Sequence, residues 1–179
     1  MRLTFNKGTI RLATPDDASL LASWWSDGNV MAHAGFPNGI KTDTHALKNA
    51  LNNQEKSYER FILENSEQMP IGEMSQRTKD GVAMIGIKIC LAGYQEKGIG
   101  TDALKRLITY LFDDLNVTKI SLDTMIENKR AQHVYKKLGF KKIRVMKDVW
   151  TDQLGKKRTG VYFELSKQDY IDNKAFYIS

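Results

Sequence analysis

Apolar residues recur every second position in some stretches of this chain and every third or fourth in others, which sorts it into strands and helices. Thr9-Ile-Arg-Leu-Ala13 alternates and predicts a first strand. Thr14-Pro15-Asp16-Asp17 then reads as a helix start, with a capping threonine, proline at the first helical position and acids in the first turn. Leu20, Leu21, Trp24 and Trp25 form its apolar stripe. Gly28 and the cluster Gly35-Phe-Pro-Asn-Gly39 predict a long irregular connection. A second helix is expected from Thr42 or Asp43, with Ala46, Leu47, Ala50 and Leu51 facing inward.

Three strands in hairpin order follow: Tyr58–Glu64, Pro70–Gln76 and Gly81–Leu91. The third is nearly continuous in apolar character, which predicts a central position. Beyond it, Ala103, Leu104, Leu107, Ile108 and Leu111 recur at helical spacing, from a start near Thr101 or Asp102. Val117–Asp123 reads as a short strand with Ile120 and Leu122 on one face. Asn128 is a good N-cap for a helix through Ala131, Val134, Tyr135 and Leu138, closed by Gly139. Lys141–Trp150 and Thr159–Leu165 complete a hairpin around Asp152-Gln-Leu-Gly155. The order β-α-α-β-β-β-α-β-α-β-β is that of an α/β protein with a mixed sheet.

The 179 residues, 41% hydrophobic and 27% charged, suit one soluble domain with a sizeable core. No apolar run reaches the roughly 20 residues of a membrane helix, and Met1–Ala13 lacks the apolar centre of a secretion signal. The expectation is a cytoplasmic protein. One cysteine, Cys90, rules out an internal disulfide framework. His33, His45 and His133 lack metal-ligand spacing, so no metal is expected. Residues 1–90 hold ten basic and ten acidic side chains, whereas 91–179 hold seventeen against eleven. The whole excess of +6 therefore lies in the second half. Its lysines are scattered and show no interleaving with aromatics, which argues for a compact polyphosphate ligand over nucleic acid.

Gln95-Glu-Lys-Gly98-Ile-Gly100-Thr101 supplies a place for such a ligand. Glycines let the backbone turn with φ > 0, and the N–H groups of the following helix start attract phosphate. Gly98-Ile-Gly100-Thr-Asp-Ala103, with Asp123 further on, also fits a dinucleotide fingerprint. Three features oppose that reading. About six residues separate strand from first glycine, the preceding strands are hairpin-linked, and only 56 residues follow Asp123. No Lys-Ser/Thr pair follows the last glycine, which sets aside a P-loop.

Gln95-Glu-Lys-Gly98-Ile-Gly100 matches the Gln/Arg-x-x-Gly-x-Gly/Ala loop of the GNAT acetyltransferases. Asn128-Lys-Arg130-Ala131-Gln-His-Val-Tyr135-Lys-Lys-Leu-Gly139-Phe140 resembles that family's Asn-x-x-Ala-x-x-x-Tyr-x-x-x-Gly-Phe segment. By element order the resemblance spans roughly residues 8–166 of a single 1–179 domain. Trp24–Met31 looks like the ribosomal-protein N-terminal acetyltransferase branch, and Leu115–Phe140 resembles polyamine and aminoglycoside 6′-acetyltransferases.

The resemblance implies a GNAT fold, with a mixed, mostly antiparallel central sheet flanked by helices, and acetyl-CoA as co-substrate. Glu96, Lys97, Gly98, Ile99, Gly100 and Thr101 would wrap the pyrophosphate, with Gln95 and Lys97 lining the loop. Ile89, Cys90 and Leu91 would offer backbone groups to the pantetheine arm, and an N–H there would polarise the acetyl carbonyl. Asn128 and Arg130 would contact the cofactor, Asn128 doubling as an N-cap.

Tyr135 would protonate the departing thiolate; the alternative is a plain core aromatic beside Val134 and Leu138. Glu73 and Asp123 are the candidate bases for the attacking ammonium. Cys90 reads as packing rather than as a nucleophile. The implied acceptor is a protein N-terminus, a polyamine or an aminoglycoside. Exposed sheet edges make a homodimer plausible, and a CoA-binding module without catalysis is the competing reading.

Overall fold

A computed structural model describes residues 1–179. In chain order it contains strands β1 (Arg2–Phe5) and β2 (Gly8–Leu12), helices α1 (Ala18–Ser26), α2 (Gly28–Met31) and α3 (Thr44–Asn52), then strands β3 (Tyr58–Asn65), β4 (Pro70–Lys79) and β5 (Val82–Ile89). Helix α4 (Ile99–Thr109), strand β6 (Lys119–Met125), helix α5 (Lys129–Lys137), strands β7 (Lys141–Thr151) and β8 (Lys157–Ser166), and helices α6 (Lys167–Asp172) and α7 (Lys174–Ile178) complete it. The strands follow the order β1-β2-β3-β4-β5-β6-β8-β7 in a mostly antiparallel sheet. The fold is the α/β mixed sheet that the chain's periodicity predicts, mostly antiparallel as the resemblance implies, with β5 flanked by β4 and β6. No helix is long and apolar enough to cross a membrane.

The contacts group the chain into two compact units. One comprises Met1–Ala13, Gln54–Ser121 and Glu164–Ser179; the other comprises Thr14–Asn53 and Leu122–Phe163.

In the first unit the strand expected at Thr9–Ala13 is the second arm of a hairpin. β1 precedes it, with Leu3 opposite Ile10. Four residues with one buried side chain carry too little periodicity to announce a strand. From β1 through β5 every neighbour is antiparallel. β6 then joins β5 in parallel over Val82–Met84 against Lys119–Ser121. Helix α4 covers one face, burying Ile99, Ala103, Leu104, Leu107 and Ile108. Burial of each of the larger four stabilises the unit by roughly 1.5–3 kcal/mol. The helix runs on through one π-turn, Tyr110–Asp114, where the Tyr110 hydroxyl meets buried Glu59 at 3.3 Å. Helices α6 and α7, absent from the predicted order, end the unit.

The second unit begins with the expected helix start. Thr14 and Asp17 form a reciprocal capping box with proline at the first position. Leu21 and Trp24 of α1 are buried, as are Leu47 and Leu51 of α3, whereas Trp25 is half-buried. Ala46 and Ala50, expected inside, are exposed: the inward face of α3 is a single i, i+4 leucine row. The connection after Gly28 is more ordered than its glycines suggest, because Asp27 caps α2 through the Asn29 N–H (2.8 Å). Further along, Gln153 accepts from the Asn38 N–H (3.0 Å) and donates to the Gly39 carbonyl (2.8 Å). The Trp150 ring fills the space a Cβ on Gly35 would need. That loop is thus clamped to the β7–β8 turn, itself closed by the Gly155 N–H on the Asp152 carbonyl (3.0 Å).

Candidate active site

Helix α4 starts two residues earlier than its periodicity suggests. Gly98 is the N-cap, with φ 76° and ψ −5°. The Asp102 N–H donates to the Gly98 carbonyl at 3.1 Å, the first bond of the helix. The amides of Ile99, Gly100 and Thr101 therefore have no intrahelical acceptor and present a helix start to an anion. Only one of the two glycines turns with φ > 0. The second left-handed residue is Glu96, φ 62°, not Gly100. Gly100 serves packing instead: a Cβ there would lie 3.6 and 3.8 Å from Ile87 and Ile89 of β5, so a small residue seats α4 on the strand.

Side chains from β3 and from the segment between β5 and α4 shape the approach to this turn. Gln95 donates from Nε2 to the Ile89 carbonyl (3.0 Å). Asn65 donates to the Tyr94 hydroxyl (3.1 Å), and the Lys97 ammonium lies 5.5 Å above the Tyr94 ring. Asn65 and Tyr94 are members of the candidate site that local sequence pattern does not reveal, since only the pairing of β3, β4 and β5 brings them together.

The end of β5 differs from expectation. The N–H groups of Cys90 and Leu91 both donate to the Ile71 carbonyl, at 2.9 and 3.2 Å. Neither is available to polarise an acetyl carbonyl. Pairing on β5 alternates, so the Cys90–Ile71 bonds direct the backbone groups of Ile85, Ile87 and Ile89 to the other edge. Along that edge the register with β6 ends at Met84–Ser121. Of the expected trio, Ile89 alone faces the open edge.

Cys90 itself is buried, with its thiol directed at the Lys88 carbonyl (3.8 Å). Burial first, and the Glu73 charge second, push the thiol pKa up to about 12. It stays protonated and is no nucleophile. Accordingly, Cys90→Ala is expected to keep kcat within about twofold while lowering stability by about 1 kcal/mol, as steady-state assay and thermal melting would show. A loss of turnover beyond tenfold would contradict this. Glu73 is buried and ion-paired on both sides, with Arg60 at 2.5 Å and Lys88 at 2.9 Å.

The second motif segment, Asn128–Phe140, lies in the other unit. Asn128 caps α5 by accepting from the Ala131 N–H (3.1 Å). The helix closes with the Phe140 N–H on the Tyr135 carbonyl, the Gly139 N–H on the Lys136 carbonyl, and Gly139 at φ 84°. This Schellman closure fixes the residues after Tyr135. Gln132 ties the β6–α5 connection by donating to the Ile126 carbonyl (2.8 Å). Arg130 is exposed in the first turn.

Tyr135 is buried, its ring edge-on to Phe163 (5.7 Å) and tilted against Phe140 (6.2 Å). Burial, and then the charge of Asp123, raise its hydroxyl to about 12. Asp123, near the end of β6, is exposed at its surface yet crowded enough that lost hydration raises its carboxyl pKa above the usual value. No group of three or more His, Cys, Asp and Glu is arranged to hold a metal.

A family model for the acetyltransferase (GNAT) domain matches residues 8–141. Aminoglycoside N(6′)-acetyltransferase type 1 of Klebsiella pneumoniae is 28% identical over 150 residues, 75% of this chain and 74% of that protein. Spermidine N(1)-acetyltransferase of Escherichia coli K12 is 47% identical over 47 residues, 26% of this chain and 25% of that one. Among solved structures, spermidine N-acetyltransferase from Vibrio cholerae in complex with CoA and spermine superposes with a TM-score of 0.82. It is 21% identical, with 92% of this chain and 98% of that one covered.

Proposed function

The chain belongs to the GNAT acetyltransferase family, and from that premise we propose that it transfers the acetyl group of acetyl-CoA to a primary amine by direct attack. One observation carries the reading. The family's glycine loop forms a helix start with unbonded N–H groups, and its tyrosine segment forms a capped, Schellman-closed helix.

In the first unit, residues 96–101 would hold the pyrophosphate, Gln95 would set the loop by its bond to Ile89, and the Ile87–Ile89 edge would take the pantetheine amides. In the second, Asn128 and Arg130 would contact the cofactor and Tyr135 would act as acid. The amine nitrogen attacks the thioester carbon, the C–S bond breaks, and the sulfur takes the Tyr135 proton. The ammonium proton passes to Asp123, directly or through water, and solvent exchange restores both groups.

Asp123 suits the base role better than Glu73. Both oxygens of Glu73 are engaged by cations, so it would have to break an ion pair to accept a proton. Asp123 is exposed and has a raised proton affinity.

An amino-sugar or polyamine is the acceptor class this reading favours over a protein N-terminus, because the aminoglycoside relative aligns over three quarters of the chain. Exposed Ile143, Val145 and Val149 on the outer strand β7 support pairing with a second copy. The test is CoA release with a 6′-amino aminoglycoside, spermidine and a peptide with a free N-terminus, each against acetyl-CoA. Saturable turnover on one of the first two is expected. Binding of CoA without turnover on any amine would replace the enzyme by a CoA-binding module.

A further inference from the structure

The connection between β1 and β2 reaches the glycine loop. Lys7 donates from Nζ to the Lys97 carbonyl at 3.2 Å and lies 3.0 Å from an Asp102 carboxylate oxygen. The same ammonium is 2.9 Å from where a Cβ on Gly98 would stand. One side chain therefore touches the peptide before the left-handed turn, the turn itself and the first helical carboxylate. Its own support is firm. At Gly8 a Cβ would meet the Glu64 carbonyl at 2.0 Å, so the hairpin lies close on β3 at that point.

Two consequences follow from elementary geometry and charge. In a trans peptide the C=O of residue 97 and the N–H of residue 98 point in opposite directions. Holding the Lys97 carbonyl toward Lys7 therefore holds the Gly98 N–H away from it, on the opposite side of that peptide. The ammonium also neutralises Asp102, whose carboxylate would otherwise repel a diphosphate at the helix start.

We propose that Lys7 is a positioning residue for acetyl-CoA. It fixes the 97–98 peptide and masks Asp102, so that the loop is preorganised for the pyrophosphate. The proposal rests on the acetyltransferase reading above. Nothing in the loop's own sequence signals it, since Lys7 lies 90 residues earlier, in the turn that follows a strand that local periodicity misses.

The test compares CoA with a cofactor lacking the diphosphate. Lys7→Gln is expected to weaken CoA binding by calorimetry, and to raise KM for acetyl-CoA, by about five- to tenfold. At saturation kcat should stay within about twofold of wild type, KM for S-acetylpantetheine should not move, and Lys7→Arg should restore most of the CoA affinity. Amide hydrogen exchange across residues 95–101 should quicken in Lys7→Gln. That readout does not need turnover.

Unchanged CoA affinity with unchanged exchange would overturn the proposal. So would equal weakening toward CoA and S-acetylpantetheine, which would mark a general structural defect. Wild-type protein that bound no CoA would overturn the acetyl-CoA reading itself. Wild type that binds CoA no better than Lys7→Gln does would remove only the role of Lys7.

Discussion

Replacing Tyr135 by phenylalanine is expected to lower kcat about a hundredfold while leaving KM for acetyl-CoA within about twofold. The substitution removes one oxygen and keeps the ring that packs on Phe163 and Phe140, so melting should shift little. The size of the effect follows from the acid's strength. An unperturbed tyrosine near 10 and a thiol near 8.5 would exchange a proton readily. Burial and the Asp123 charge set the hydroxyl near 12 instead, which makes it a weaker acid than an unperturbed tyrosine and widens its gap from the thiol. Full transfer would then be late, after the C–S bond has largely broken, and Tyr135 would act mainly as a neutral hydrogen-bond donor to the developing thiolate. That places the loss toward the lower end of the general-acid range. Because the hydroxyl stays protonated well above neutrality, the pH–rate profile from pH 6 to 10 should drop uniformly without changing shape. A kcat equal to wild type would make Tyr135 a core aromatic and leave the thiolate to water.

Features carried by local chemistry were legible before folding. The Thr14–Asp17 capping box, the Asn128 cap, the Gly139 terminus and the left-handed Gly98 depend on residues within a few positions of one another. Features that depend on strand register were not. Glu73 alternates within a strand and reads equally well as a surface residue. Only the alignment of β3, β4 and β5 sets it between Arg60 and Lys88. The same register directs the Cys90 and Leu91 amides to Ile71. Lys7, Asn65 and Tyr94 belong to the loop's support for the same non-local reason. The glycine loop was thus readable as a helix start suited to phosphate, whereas the side chains that contact it from elsewhere in the chain were not.

Asp123→Asn is expected to cut kcat/KM about a hundredfold and, at the same time, to raise thermal stability slightly at neutral pH. The two effects share one cause. Lost hydration raises the Asp123 carboxyl pKa in the folded chain above its unfolded value near 3.9. The fold therefore favours the protonated acid. This contribution is fully present below the unfolded pKa and is lost as pH rises through the folded one. At pH 7 the ionised carboxylate opposes folding, and the neutral amide relieves it. Because the side chain is exposed, the gain should be no more than about 2 °C, and it should vanish below about pH 4. In wild type the acid limb of kcat/KM should lie above the ordinary carboxylate range and disappear in the variant. Removal of the charge should also draw the Tyr135 hydroxyl down from about 12, measurable by its ultraviolet titration. Glu73→Gln provides the contrast: it leaves Arg60 and Lys88 without their shared carboxylate and should destabilise by roughly 3–5 kcal/mol. If Asp123→Asn kept full activity and the acid limb, the base would have to lie elsewhere, and the raised proton affinity of Asp123 would mark only its crowded position on β6.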